Sequence, residues 1–152
     1  MPTRLSSVAD IEAHVGTTLG TSAWHEMPFS QIQKFAEATG DHQWIHVDRE
    51  RAQAGPFGAP IAHGYLTLSL VAGLFFEVLE LDGFEMIINY GCNKVRFPNP
   101  MKEGARFRLQ LDLASSRAVG EWHEMVMNAT IAIEGEEKPA VFAEAVYRVL
   151  PA

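Results

Sequence analysis

An aspartate and a histidine stand five positions apart in a polar segment that begins with a glycine. Gly40 precedes Asp41, and His46 ends the run Asp41-His42-Gln43-Trp44-Ile45-His46. A carboxylate and an imidazole can together take a proton from water near neutral pH and return one to a substrate carbon. Positions i and i+5 share no helix face and lie on opposite sides of a strand, so only a curled loop brings the two side chains together. The spacing therefore indicates a proton-transfer site, provided that this segment is a loop.

A helical pattern precedes this segment and would deliver Asp41 to its start. The helix is expected to begin at Ser30, because Ser30-Gln31-Ile32-Gln33 has the form of a capping box. An apolar stripe follows at helical spacing, and Gly40 supplies the C-terminal stop. Beyond the segment, Asp48 is expected to cap a second, short helix that a Gly-Pro pair ends.

The remaining patterns predict an α+β fold. Residues 64–79 are apolar on nearly all sides, which is typical of a helix buried in the middle of a domain. Alternating patterns then predict four strands, at 86–97, 105–117, 121–134 and 140–150. Smaller elements are expected near the N-terminus: a helix at 8–15, a turn bracketed by glycines at 16–20 and a strand at 22–27. One long central helix with a curled antiparallel sheet wrapped around it is the economical arrangement.

Length, charge and cysteine content limit the classes of protein to consider. A chain of 152 residues predicts a single domain over 1–152, and the formal net charge of -7 argues against nucleic acid and anionic membranes as partners. The single cysteine, Cys92, cannot form an internal disulfide and is expected to be a small buried thiol. The N-terminus lacks the apolar core of a signal peptide, and no apolar stretch is long enough to span a bilayer, so a cytoplasmic location is expected.

Three segments together resemble the MaoC-like, (R)-specific enoyl-CoA hydratases and dehydratases of hotdog fold. The segments are 35–48, which contains Asp41 and His46, then 61–66 around Gly64, then 93–104, which reads Asn-Lys-Val-Arg-Phe-Pro-Asn-Pro-Met-Lys-Glu-Gly. Their order matches that of the family, and the resemblance extends over roughly 28–150. It implies a hotdog fold, an acyl-CoA thioester substrate, a homodimer with active sites near the subunit interface, and no cofactor.

The same resemblance implies roles for three residues. Asp41 and His46 fall on the catalytic pair, with Asp41 as the general base toward water and His46 holding that water and helping to move a proton to the α-carbon. Gly64 falls on the glycine whose backbone N–H points at the thioester carbonyl; a free N–H at a helix start can stabilise an enolate oxygen. The chain departs from the family at Gln43-Trp44, where many members have Asn-Pro, although Trp44 could restore order by packing.

The neighbouring polar residues are expected to be structural. His42 is expected to be exposed, His63 to orient the turn into Gly64, and Asp48 to act as a helix cap. The histidines and the aspartate of this region match no known spacing of metal ligands, so no metal is expected.

The substrate-binding residues are less constrained than the catalytic pair. Lys94 and Arg96 could bind the phosphates of coenzyme A, together with Lys102 and Arg106, because cations match phosphate geometry. The alternative, a solvated sheet face with salt bridges, is equally compatible with the pattern. The remaining substrate-binding candidates are Asn89 and Tyr65.

Two other functions remain open at this point. Some hotdog proteins hydrolyse acyl-CoA thioesters, and these thioesterases usually place a carboxylate on the central helix; here the helix has only Glu77, late in its course. A non-catalytic acyl-CoA-binding protein is the other alternative. The intact Asp41 and His46 pair argues against it.

Overall fold

One long helix lies against a curved antiparallel sheet. The computed structural model describes residues 1–152. In chain order the elements are β1 (Thr3–Leu5), α1 (Val8–Ala13), β2 (Thr18–Thr21), β3 (His25–Glu26), α2 (Phe29–Thr39), α3 (Trp44–Val47), α4 (Arg49–Gln53), α5 (Gly64–Val78), β4 (Leu79–Leu81), β5 (Phe84–Arg96), β6 (Arg106–Val119), β7 (Trp122–Ile133) and β8 (Val141–Pro151).

The main sheet is antiparallel and has the order β2-β6-β7-β8-β5, with β3 paired to β6. Alternate residues of its long strands face the helix, as Leu109, Leu111, Met125 and Met127 do, and these side chains are fully buried. Val71, Leu74 and Phe75 of α5 pack into the same core. Burying one such side chain contributes roughly 1.5–3 kcal/mol, so the alternating pattern fixes which face of the sheet receives the helix. The predicted α+β architecture and its four long strands are confirmed.

The central helix is buried on one side only. Tyr65 is 73% exposed and Phe76 65% exposed on the opposite side of α5. The prediction of a helix buried all round is therefore wrong for the single chain, because the sheet covers only one face. The strand β5 forms one end of the main sheet and pairs only with β8, and Met86 and Tyr90 on β5 are also exposed apolar side chains.

Three local predictions need correction. The helix α2 begins at Phe29, with Pro28 in the cap position and no side-chain cap, so Ser30 lies inside the first turn and the capping box is not formed. The expected turn at 16–20 is largely strand, because β2 pairs with β6 there. Cys92 is exposed on β5 rather than buried, although packing of the surrounding atoms still raises the pKa of its thiol.

The pairing of β1 with β4 in a small parallel sheet was not predicted, since strands of three residues carry too little pattern. The longest helix, α5, has 15 residues, and no helix of the structure has the length and apolarity that a membrane crossing requires.

Candidate active site

The turn after α2 presents Asp41 to solvent. Gly40 has φ +80°, a conformation that favours glycine, and its N–H donates to the carbonyl of Ala36 at 2.8 Å, so the helix ends where the sequence predicts. The Oδ1 of Asp41 then accepts a hydrogen bond from the Gln43 N–H at 3.3 Å. This bend turns the chain into α3, a single helical turn that includes His46. The segment is thus a bend followed by one turn of helix rather than a continuous loop.

His46 is buried, and its ring has a defined orientation. Its Nδ1–H donates to the carbonyl of Ile61 at 2.6 Å, which leaves Nε2 to accept a proton or bind water. Burial is the main cause that lowers the pKa of the His46 imidazole below its ordinary value of 6.5; the nearby His63 acts in the same direction, while the bond to Ile61 and the charge of Asp41 oppose it. His46 is therefore neutral at pH 7.

The structure brings the predicted pair together. A carboxylate oxygen of Asp41 and one ring nitrogen each of His46 and His63 all lie within 4.8 Å of one another. One water molecule can bridge such a separation with two hydrogen bonds. A carboxylate exposed to solvent and a buried neutral imidazole therefore lie close enough for one water to contact both.

His63, which the sequence analysis expected only to orient the turn into Gly64, belongs to this cluster. It is buried, its ring stacks on that of His46 with centroids 3.9 Å apart, and its Nε2 donates to the backbone carbonyl of Asp41 at 2.9 Å. Its other ring nitrogen, Nδ1, is buried without a hydrogen-bond partner. The only available signal was its position directly before Gly64, which does not reveal a contact with a residue 22 positions earlier.

Two histidines and one carboxylate are also a set of metal ligands, so the geometry of the rings matters. The His46 and His63 rings are stacked with an angle of 22° between their planes. Each nitrogen lone pair lies in its own ring plane, and a metal–imidazole bond is ~2.1 Å long. In two stacked, nearly parallel rings the lone pairs do not point at a common atom at that distance. The cluster therefore does not present converging ligands, and the absence of a metal stays a prediction.

Gly64 begins α5 and borders a cavity of about 280 Å³. Its backbone N–H has no hydrogen-bond partner in the protein, as is usual for the first residue of a helix. A Cβ at this position would lie 3.1 Å from the ring of Phe97, so any other residue would require that ring to shift by a few tenths of an ångström. His46 also lines the cavity, together with Phe57, Ile61, Thr67, Phe97 and Met101.

Trp44 occupies the position where many family members have a rigid proline, and its ring packs against its neighbours instead. The guanidinium of Arg51 lies over the Trp44 ring at 4.3 Å from its centroid. Gly55 also approaches this ring, so closely that a Cβ at position 55 would lie 3.0 Å from it. Asp48 caps α4, as predicted, by accepting from the Arg51 N–H at 3.0 Å, and His42 is exposed.

The predicted substrate-binding residues do not line the cavity next to His46. Tyr65 is exposed and packs edge-on against Phe97, with centroids 6.3 Å apart. Asn89 lines a separate cavity of about 150 Å³ beside α5. Lys94 and Arg96 are exposed near the end of β5.

The other two predicted cations differ in their surroundings. Lys102 borders a second cavity of about 250 Å³ that shares Phe57, Asn99 and Pro100 with the first. Arg106 instead forms an ion pair with Glu134 at 2.9 Å, which is the salt-bridge alternative.

Known proteins share this arrangement of sequence and fold. Residues 10–134 match the MaoC-like domain family. The chain is 45% identical over 143 residues to the 3-hydroxyacyl-thioester dehydratase Z of Mycobacterium tuberculosis, covering 93% of this chain and 95% of that protein. It is 42% identical over 140 residues to nodulation protein N of Rhizobium meliloti, covering 90% and 87% of the two chains.

The solved structure of an R-hydratase from Pseudomonas aeruginosa superposes with a TM-score of 0.73 at 24% identity, covering 91% of this chain and 83% of that one. At this identity the likeness bears on the fold alone, and it confirms the predicted hotdog fold. The chain is an enzyme of the hydro-lyase type, a member of the MaoC-like family of hydratases and dehydratases.

Proposed function

We propose that this enzyme catalyses the reversible, (R)-specific hydration of trans-2-enoyl-CoA to (R)-3-hydroxyacyl-CoA. The observation that carries the proposal is the joint position of three groups: the Asp41 carboxylate and the His46 ring within 4.8 Å, and the unpartnered N–H of Gly64 at the cavity that His46 lines. The name of the related 3-hydroxyacyl-thioester dehydratase supports this substrate class.

The reaction uses these groups in sequence. A water between Asp41 and His46 loses a proton to the Asp41 carboxylate as its oxygen bonds to C3 of the enoyl thioester. The electrons of the double bond move toward the thioester carbonyl, and the Gly64 N–H at the helix start stabilises the resulting enolate oxygen. The proton that Asp41 took from water then passes to C2 with the help of His46, so the elements of one water are added and both side chains return to their initial state.

A homodimer is part of the proposal. The exposed apolar side chains on α5 and β5 and the free hydrogen-bonding edge of β5 form a surface that a second copy of the chain would cover. Pairing of the two β5 edges would bring Asn89, Lys94 and Arg96 to the subunit interface. This position supports their proposed role in binding the acyl-CoA thioester.

The position of Glu77 argues against thioester hydrolysis, the alternative function. Its Oε1 lies 2.8 Å from Nε2 of His25, and its Oε2 accepts from the Ala23 N–H at 3.2 Å. Glu77 lies thirteen positions after Gly64 along the helix, which corresponds to about 20 Å. A carboxylate at this distance cannot act on a thioester whose carbonyl lies at the start of α5.

The test is an assay of the purified protein with crotonyl-CoA and longer trans-2-enoyl-CoAs, following the loss of enoyl-thioester absorbance. Chiral analysis of the product should give the (R) isomer, and a thiol reagent should detect no release of free coenzyme A. Wild-type rates in both Asp41→Asn and His46→Gln would refute the assignment. Binding of enoyl-CoA without turnover would instead favour a non-catalytic acyl-CoA-binding protein.

A further inference from the structure

Asp41 is held by few contacts of its own. Its backbone N–H approaches Thr39 Oγ1 only at 3.5 Å, and its Oδ1 accepts from the Gln43 N–H at 3.3 Å. Thr39 is the exposed last residue of α2, and Gln43 lies in the exposed turn that follows. The third contact is the bond from His63 Nε2 to the Asp41 carbonyl, at 2.9 Å. This bond is the shortest of the three and the one that links Asp41 to the buried part of the protein.

The ring of His63 is itself fixed by its surroundings. It stacks on His46 at 3.9 Å and packs against the ring of Phe35 at 4.9 Å, and only 3% of the residue is exposed. A buried ring with neighbours of this size has little freedom to rotate. The direction in which Nε2 donates is therefore fixed relative to His46.

The hydrogen-bonding state of His63 also favours a role beyond packing. A carbonyl oxygen only accepts, so Nε2 carries the hydrogen and Nδ1 is left as an acceptor, buried and without a partner. Buried polar atoms are normally paired, and an apolar side chain would fill this space without leaving one unpaired. The contact with Asp41 is what histidine provides here and an apolar residue would not.

We propose that His63 is a positioning residue for the hydration reaction, tethering the Asp41 main chain so that the carboxylate stays within reach of the water shared with His46. The inference rests on the proposed function and deepens it. Proton transfer is sensitive to displacements of about 1 Å, and the exposed turn of Asp41 offers no other strong tether. In this proposal His63 acts through Asp41, as a positioning residue rather than as a proton donor or acceptor.

The experiment compares two substitutions at this position. His63→Leu removes the donor, whereas His63→Gln keeps an amide N–H near the position of Nε2. We expect His63→Leu to lower kcat by about 10- to 100-fold with little change in KM, and His63→Gln to recover most of that loss. His123→Leu is the matched control, because His123 is also 3% exposed with an unpaired ring nitrogen but lies on β7 beside Val149, away from the cavity. It should leave kcat unchanged.

A double mutant separates positioning from a merely structural effect. In the Asp41→Asn background, His63→Leu should lower kcat by no more than about three-fold further, because the group it positions is already gone. Losses that multiply, or a wild-type kcat in His63→Leu, would overturn the proposal. Hydrogen exchange of residues 40–44 gives a readout without substrate: exchange should accelerate in His63→Leu and recover in His63→Gln. If the single variants Asp41→Asn and His46→Gln both keep full activity, the proposed function fails; if Asp41→Asn loses activity and His63→Leu does not, the positioning role fails.

Discussion

His46 and Ile61 are joined side chain to main chain, by the 2.6 Å bond from Nδ1 to the Ile61 carbonyl. The Ile61 N–H in turn donates to the carbonyl of Ile45 at 3.0 Å, so α3 and the segment that leads into α5 are connected twice. The turn of helix that carries His46 and the helix start that carries Gly64 are thereby fixed relative to each other. This connection also sets the tautomer of His46 and directs Nε2, not Nδ1, to substrate and water.

The burial of His46 predicts how activity and stability depend on pH. Its pKa is lowered below 6.5 in the folded state, mainly by burial, whereas in the unfolded chain the imidazole takes up its proton near 6.5. Between these two values the unfolded state binds more protons than the folded state, so the free energy of unfolding falls as the pH drops below about 6.5. Above that pH the imidazole is neutral in both states and contributes no pH dependence.

The acidic limb of the kcat/KM profile should accordingly lie below pH 6.5, where His46 becomes protonated. Thermal unfolding of wild type and His46→Gln across pH 5–8 isolates the contribution of this residue to stability. The wild type should lose more stability than the variant on acidification. An acidic limb above pH 6.5, or identical slopes for the two proteins, contradicts the assignment.

Asp41 and Asp48 provide a matched comparison of two aspartates in one short region. Asp41→Asn should lower kcat by about 10²- to 10⁴-fold, because it removes the general base while keeping the side chain's shape. Asp48→Asn keeps a residue that caps helices well, so kcat and the free energy of unfolding should both stay near wild type. Steady-state kinetics and thermal unfolding of both variants check this. Equal losses of activity would mean that the loss reflects the charge of the segment rather than a base at Asp41.

The sequence predicted those features of the site that depend on local chemistry. The stop at Gly40 and the cap at Asp48 follow from backbone requirements that few residue types meet, and the structure confirms both. The alternating strands β6, β7 and β8 were also predictable, because one face of each is buried. The start of α2 was not: Pro28 occupies the cap position, and the neighbouring Ser30 offered a competing pattern that the structure does not use.

What the sequence could not provide were contacts between distant positions. The bond from His63 to Asp41 spans 22 positions, and that from His46 to Ile61 spans 15. No rule of sequence spacing predicts either bond, since both form where residues 41–46 contact the segment that leads into α5. The exposure of Cys92 has a similar origin: a strand pattern does not say whether the strand lies at the edge of its sheet.

A side chain at position 64 should be destabilising while Phe97 is present. A Cβ would lie 3.1 Å from the Phe97 ring, so Gly64→Ala should cost about 1–3 kcal/mol of stability by overpacking and lower kcat by displacing the N–H from the cavity. In the Phe97→Ala background the same substitution should be neutral or stabilising by up to about 1 kcal/mol, because alanine is favoured over glycine in a helix. Chemical denaturation of the four proteins measures this coupling; equal costs in both backgrounds would contradict the steric argument.

The exposed face of α5 predicts a dimer that a single charge can break. Phe76 is 65% exposed on α5, and Phe76→Asp would place a charge in the surface that a second copy is proposed to cover. Sedimentation should find a dimer for wild type and a larger monomer fraction for Phe76→Asp. Val15→Asp is the matched control, since Val15 is an exposed apolar residue in the turn after α1 and should leave the dimer intact. A monomeric wild type, or dimers of equal stability in all three proteins, would exclude α5 from the interface.

Because the substrate-binding candidates Lys94 and Arg96 lie on the proposed interface strand, loss of the dimer should also raise KM for enoyl-CoA more than it lowers kcat.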